Sequence, residues 1–392
     1  MANDFSAIGG KIVAQGLLSL RENAIMARTV NVDYSVDAQN KEGDTINVPI
    51  PRPIASRAVS PGPIPVAPAD NSATTTPIVL NKWREAPFSL TDKEIGEIAN
   101  SAGWLPMSVS AAIRSLASDI NNDIYALYKN VYGFAGTPGV TPFPIGTGNF
   151  AAPPKDATDT RKVLNKQLCP DDGMRRFVLD PDAEANALQL PAFANMQVTG
   201  DAGPAIRGDL GTKLNFRWFM DQQAPTHTAG TITGSLTAKS ATPQAAGLTT
   251  IVGNTGPSGA ISLVFGDIIV IAGQKQKTFV VTSAATQASA SSDVNISISP
   301  ALDTALAGGE AITVKGNHVV NLAFHRDAFA FATRLPNIGF TGANIVLPTV
   351  DPKTGITLTL EIVRGNAQTM WFFRTLYGVG ILRPELACRL AG

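Results

Sequence analysis

The stretch Gly208–Gly230, GDLGTKLNFRWFMDQQAPTHTAG, constrains the fold more than any other part of the chain, because it reads as a strand bounded by turns that runs into a segment of different composition. Asp209, Gly211 and Thr212 make a turn, Leu214, Phe216, Trp218 and Met220 alternate on one face, and Asp221-Gln-Gln-Ala-Pro225 ends the strand. A period of two means that one face is buried. Beyond it, Thr231–Gly316 is poor in charge, rich in Thr, Ser, Ala and Gly, and built from the short runs TITGSLT, ISLVFGDIIVIAG, KTFVVTS, VNISIS and AITV. Short alternating runs separated by turns predict a small all-β barrel or sandwich with its own core. The mixed pattern stops near Gly230 and resumes at Asn317–Arg334, where Leu322, Phe324, Phe329 and Phe331 mark strands. One unit is therefore inserted into another, and its two ends must lie close together.

The rest of the chain predicts an α+β host for that insertion. From Phe5 to Arg28 the residues Ile8, Ile12, Val13, Leu17, Leu20 and Ala24 recur at helical spacing, capped by Asn3 or Asp4. Gly9, Gly10 and Gly16 weaken that helix by roughly 1 kcal/mol each relative to alanine, so it needs a surface to lie on. That surface is either its own core or a neighbouring molecule. Prolines at 49, 51, 53, 61, 63, 65, 68, 77 and 87 set Gly43–Glu94 apart. They allow two strands, Thr45–Arg57 and Ala73–Leu90, to pair as a long hairpin whose tip, Ser60 to Asn71, stands outside any sheet. A disordered linker is the alternative, and the aromatics Trp83 and Phe88 argue against it.

From Met107 to Tyr132 the apolar residues Val109, Ile113, Leu116, Ile120, Ile124, Leu127 and Val131 step by threes and fours, which predicts a helix of roughly 39 Å. Pro106 suits its first turn and Gly133 its stop. After the Gly/Pro-rich connector Gly136–Pro154, Thr158–Leu168 reads as helix and Arg176–Leu179 as strand. Pro181–Leu190 reads as helix capped by Asp180, and strands return in Gly355–Val363 and Met370–Leu382.

Composition removes several classes of function. Lysine plus arginine and aspartate plus glutamate stand at 31 each, so no basic footprint for sequence-specific nucleic-acid binding exists at the level of the whole chain. Charged residues make up 16%, beside 35 glycines and 27 prolines, a surface that suits burial against other subunits. Cys169 and Cys388 lack metal-ligand spacing and are expected as free thiols. The N-terminal stretch lacks the features of a signal peptide, and no run of eighteen apolar residues predicts a membrane span. Hydrolase, nucleotide-binding and zinc motifs are absent, so no catalytic residue, cofactor or metal is expected. Of the three histidines, His227 and His318 flank the insertion and could approach each other across its neck, yet zinc needs three or four ligands. Asp119 and Asp123, four apart on a polar helix face, are expected to be solvated or paired with a neighbour's cation.

Gly208–Gly230 together with the closing RPELACRLAG, Arg383–Gly392, resembles the coat proteins of short-tailed, double-stranded DNA bacteriophages, which have the Hong Kong 97-type capsid fold and often carry an insertion domain. The resemblance implies an N-terminal arm over 1–42, an extended loop over 43–94, and a peripheral domain over 95–154 with spine helix 107–132. It further implies a first part of an axial domain over 155–230, an inserted β domain over 231–316, and the remainder of the axial and peripheral domains over 317–392. The implied function is that of a non-catalytic major capsid protein, assembling into pentamers and hexamers that form an icosahedral head around phage DNA. Implied partners are further copies of itself, a scaffolding protein, a portal, a decoration protein and non-specifically bound DNA. The implied location is the virion, after assembly in the host bacterial cytoplasm. Arg52, Arg57, Lys82, Trp83 and Arg84 of the extended loop would meet a neighbouring subunit. Ile8, Ile12, Leu17 and Leu20 would form a conformational arm. The competing classes are a β-rich phage tail or decoration protein and a polysaccharide-acting enzyme, which would need two carboxylates in one cleft.

Overall fold

The computed structural model describes residues 10, 12–14, 16, 20, 24–34, 43–50, 54, 56–59, 61, 73–100, 107–144, 154–194, 206–239, 243–255, 259–275, 278–287, 292–336, 345–351 and 355–392. Helix α1 (Ile25–Thr29) is followed by strands β1 (Thr45–Ile50), β2 (Thr74–Val79) and β3 (Lys82–Thr91), then helices α2 (Asp92–Asn100) and α3 (Met107–Tyr125). A 3-10 turn, Ala126–Asn130, leads to β4 (Gly133–Gly136), α4 (Lys155–Lys166), β5 (Arg175–Leu179), α5 (Pro181–Gln189) and α6 (Pro191–Ala194). Next come β6 (Thr212–Lys213), β7 (Phe216–Met220), β8 (Thr226–His227), β9 (Thr231–Thr233), β10 (Thr237–Ala238) and β11 (Thr250–Asn254). They are followed by β12 (Ala260–Leu263), β13 (Ile268–Ile271), β14 (Thr278–Val281), β15 (Ala285–Thr286), β16 (Val294–Ser299) and β17 (Ile312–Val314). The last strands are β18 (His318–His325), β19 (Phe329–Thr333), β20 (Ile345–Val350), β21 (Thr357–Arg364), β22 (Gln368–Ile381) and β23 (Ala387–Ala391). Helices and strands thus mix in an α+β arrangement.

The chain forms two compact units, one of Met1–Ser19, Asn31–Leu116 and Ala330–Leu382, the other of Leu20–Val30, Ala117–Phe329 and Arg383–Gly392. In the first, β19, β22, β21 and β20 lie side by side, and β3 pairs with β22 over ten residues, from Gln368↔Thr91 to Tyr377↔Lys82. This corrects the expected hairpin. β1 pairs with β2 from Thr45↔Val79 to Ile50↔Thr74, but Lys82–Thr91 leaves it for β22, a partner distant in sequence. Phe88 stacks on Trp371 at 6.0 Å, so one of the aromatic residues that argued against a linker is half-buried by that long-range pairing. Ile46, Val48, Ile78 and Leu80 from the hairpin pack with Ala330, Ala332 and Leu382. Thr91 and Glu94 form a capping box at α2: Thr91 N–H donates to Glu94 Oε2 at 2.8 Å and Glu94 N–H to Thr91 Oγ1 at 3.4 Å.

Helix α3 buries Val109, Ile113, Leu116, Ile120 and Ile124, as their spacing predicts. It ends at Tyr125 rather than Tyr132, because the last turn tightens into the 3-10 form common at helix ends. Helix α4 starts three residues before the predicted Thr158 and stops before Leu168, whose φ of 59° is incompatible with helix. Helix α5 carries the predicted cap, with Asp180 Oδ2 accepting from Asp182 N–H at 3.2 Å and Ala183 N–H at 3.4 Å.

In the second unit a sheet of order β4-β23-β18-β5-β7-β6, with β8 also on β18, is assembled from both sides of the 231–316 segment. β7 carries the buried Phe216 and Trp218, and Phe177 of β5 stacks on Trp218 at 4.5 Å. Leu214 does not belong to that strand: with Asn215 it takes a positive φ, 54° and 63°, in the turn that folds β6 back on β7. The strands between 231 and 314 form two sheets, β10-β11-β16-β14-β13-β17 and β15-β12-β9. Both contribute to one apolar core that includes Ile251, Ile261, Leu263, Phe279, Ile296 and Ile312.

Candidate functional site

The residues expected to meet a neighbour fall on the hairpin region and on β3. Trp83 is 66% exposed, while Lys82 is half-buried and Arg84 exposed, opposite Tyr377 and Thr375 of β22 respectively. Arg57 is exposed in an irregular segment, and Ile54 and Val59 of the same stretch are 73% and 90% exposed. Arg52 lies outside the described residues, as do Ile8 and Leu17. Ile12 and Leu20 of the arm are buried. A Cβ at Gly16 would meet Ile113 Cδ1 at 2.9 Å, so the arm lies tightly on α3 there and a larger residue could not follow the same path.

A second constellation sits where the chain leaves and re-enters the host sheet. His227 and His318 are register partners on β8 and β18, their rings 5.2 Å apart, so the approach across the neck inferred from their positions is present. His227 Nε2 donates to Asp267 Oδ1 at 2.9 Å, and Tyr128 hydroxyl donates to His227 Nδ1 at 3.1 Å. The carboxylate can only accept, which places the ring proton on Nε2. Asp267 is fully buried, and it also accepts from Gly230 N–H at 3.2 Å and Val264 N–H at 2.8 Å. Arg389 of β23, equally buried, donates from Nη1 to Gly266 carbonyl at 2.8 Å and lies 5.0 Å over the Tyr128 ring. Burial pulls its pKa down to about 9, which leaves it charged at neutral pH near Asp267.

His318 closes this hub. Its Nδ1 donates to Gly316 carbonyl at 2.8 Å, its ring meets Phe134 edge-on at 5.3 Å, and Nε2 has no partner among the described residues. Burial pushes its pKa down to about 4, helped by Arg389 and His227 and opposed by the Gly316 bond and Asp267. Beside the polar contacts, Tyr132, Phe134, Ile268, Val280 and Ala391 form a small apolar cluster. Tyr128, Asp267 and Arg389 carried no signal in the sequence, because they converge from elements far apart along the chain. Among the described residues no group of three or more His, Cys, Asp or Glu is arranged to hold a metal ion. Among them, too, no helix is long and apolar enough to cross a membrane. Both cysteines are buried, and burial raises both thiol pKa values.

A further anchor was also hidden in the sequence. Asn121 of α3, fully buried, accepts from Met26 N–H at 2.8 Å and donates to Asp221 Oδ2 and to Gln223 Oε1, the latter at 3.1 Å. The residues read only as a strand stop, Asp221 and Gln223, therefore tie α1, α3 and the end of β7 together.

No family model matches the chain, and no curated protein does. Among solved structures, one described as Mycobacterium phage Che8 is similar over 94% of this chain and 90% of that one, at 13% identity and a TM-score of 0.48. The capsid structure of the cyanophage P-SCSP1u is similar over 90% and 84%, at 11% identity and a TM-score of 0.47. The mature capsid of bacteriophage PhiM1 is similar over 90% and 83%, at 10% identity and a TM-score of 0.42. At this level of likeness, function has to be argued from the chain's own geometry.

Proposed function

We propose that this chain is a phage-type major capsid protein, a structural subunit whose chemistry is that of its interfaces. The observation that carries the reading is the interrupted sheet. β7 and β8 precede the β-rich segment, β18 and β23 follow it, and all four belong to one sheet. That arrangement, after an arm, a hairpin and a long helix, is the element order implied by the resemblance of Gly208–Gly230 and Arg383–Gly392 to coat proteins of short-tailed phages. On this reading 231–316 is an inserted domain, and pentamers and hexamers close an icosahedral shell around double-stranded DNA. A scaffolding protein and a portal act in assembly.

The exposed apolar side chains Ile54, Val59 and Trp83 support the same reading, since a Pro-rich segment that displays them is suited to cover by another copy. Zero net charge suits a wall that must contain DNA without gripping it. Sedimentation velocity of the purified protein, alone and co-expressed with a scaffolding protein, tests the proposal. Discrete capsomers or shells support it. A stable monomer under both conditions contradicts it, and hydrolysis of a polysaccharide by that monomer would favour the enzyme class.

A further inference from the structure

We propose that His318 makes the buried hub at the neck an acid-sensitive latch, whose protonation frees the β-rich segment 231–316 from the sheet that carries it. The geometry places the latch at both crossings of the chain. His227 ends β8 just before the segment, and His318 begins β18 just after it. Two polar ties between segment and host meet at one turn, His227 on Asp267 and Arg389 on the Gly266 carbonyl; a third, from Thr278 Oγ1 to the Tyr132 carbonyl, lies outside it, while Ala229 N–H on Asn317 Oδ1 at 2.8 Å links the two crossings.

The groups that face this hub come from every element packed on it. Tyr128 and Lys129 come from the 3-10 turn, the latter within 3.1 Å of where a Gly266 Cβ would lie. His227 comes from β8, Asp267 from the turn before β13, and Arg389 from β23. Lys315 lies 5.7 Å over the Phe134 ring that packs on His318. With both imidazoles neutral, the buried pair Asp267 and Arg389 is balanced. Asp267 is the sole carboxylate in that set, and it is already engaged by His227 and two backbone amides.

The two histidines respond differently to a proton. Protonating His227 at Nδ1 only reverses its bond with Tyr128, whose oxygen can accept, and keeps Asp267 as counter-ion. Protonating His318 at Nε2 creates a buried cation whose new N–H has no acceptor among the described residues, with Arg389 as a neighbouring charge. The sign follows from burial, which holds the folded pKa at about 4, below the ordinary histidine value. The open form takes the proton first. The latch is therefore fully closed above about pH 6.5 and is lost as pH falls from there toward the folded value.

Hydrogen exchange on the full chain between pH 7.5 and 4, corrected for intrinsic rates, tests the latch. Protection of Ala229 and Gly230 should fall roughly tenfold per pH unit below the ordinary imidazole value. Ile251 and Ile296 in the segment's core, and Phe177 and Leu322 in the host sheet, should stay protected. His318→Asn, which retains a donor for the Gly316 carbonyl but does not titrate, should keep neck protection at low pH. Unchanged protection in the wild type, equal loss in His318→Asn, or simultaneous loss at every site overturns the proposal. If the variant does not fold at neutral pH, the His318 ring titration in the wild type decides. A midpoint that coincides with neck opening supports the latch, and one that does not overturns it.

Discussion

Gly378 of β22 lies so close to Val79 of β2 that a Cβ at 378 would meet the Val79 carbonyl oxygen at 2.3 Å. This contact seats the base of the β1–β2 hairpin on β22. Because the obstructing atom belongs to the backbone, Gly378→Ala must push the strand aside, and we expect a loss of roughly 1–3 kcal/mol in urea unfolding. Gly380→Ala meets only the Ile78 side chain, at 3.3 Å, and should cost less. Equal midpoints for both variants and the wild type would contradict this packing.

Asn121→Ala should destabilise the second unit by on the order of 3 kcal/mol, since it removes the Asn121 bonds to the buried Met26 N–H and to Asp221 Oδ2 and leaves the carboxylate, among the described residues, only the Gln223 N–H. Asn122→Ala, on the exposed side of the same helix, should stay within about 0.5 kcal/mol of the wild type. Burial raises the Asp221 pKa and the bond from Asn121 opposes the rise, so removing that bond raises it further. A raised carboxyl pKa favours the fold at low pH and loses that contribution as pH climbs through the raised value. The deficit of Asn121→Ala should accordingly be larger at pH 7 than at pH 4, which chemical denaturation at the two pH values measures.

What could be read from the sequence was what local chemistry encodes. Asp180-Pro181 announces the start of α5, and the spacing of Val109, Ile113, Leu116 and Ile120 announces α3 and its buried face. The position of His227 and His318 on either side of the β-rich segment foretold their approach. The departure of Lys82–Thr91 to β22 could not be foretold, because its partner lies beyond position 367 and alternation alone does not choose among strands. Leu214 fitted the alternation of Phe216 and Trp218, and only its left-handed backbone puts it in the turn instead. The hub around Asp267 was invisible for a related reason: a buried carboxylate gains its meaning from its donors, here His227 and the amides of Gly230 and Val264.

An isolated fragment spanning Thr231–Gly316 should melt cooperatively, because its strands pair among themselves around one core. Within it, Phe279→Ala removes a fully buried ring and should cost about 3–5 kcal/mol, enough to abolish the transition. Thermal melting by circular dichroism, with dispersion of amide resonances, distinguishes this from a coil. A fragment without a cooperative transition would show that the segment depends on its host.

The double reversal Arg57→Glu with Arg84→Glu should block assembly while leaving the melting temperature within a few degrees of the wild type, since both side chains are exposed. Gel filtration and melting on the same sample separate lost assembly from lost folding. Normal shells from the double variant would remove these arginines from the interface.

The central claim is that the chain builds a closed shell, and electron cryo-microscopy of particles formed by the purified protein tests it most directly. The account predicts icosahedral particles of pentamers and hexamers, with the hairpin region of each subunit covered by a neighbour and the 231–316 segment on the outer surface. Monomers, open filaments, or a closed shell in which Ile54, Val59 and Trp83 remain uncovered would contradict it.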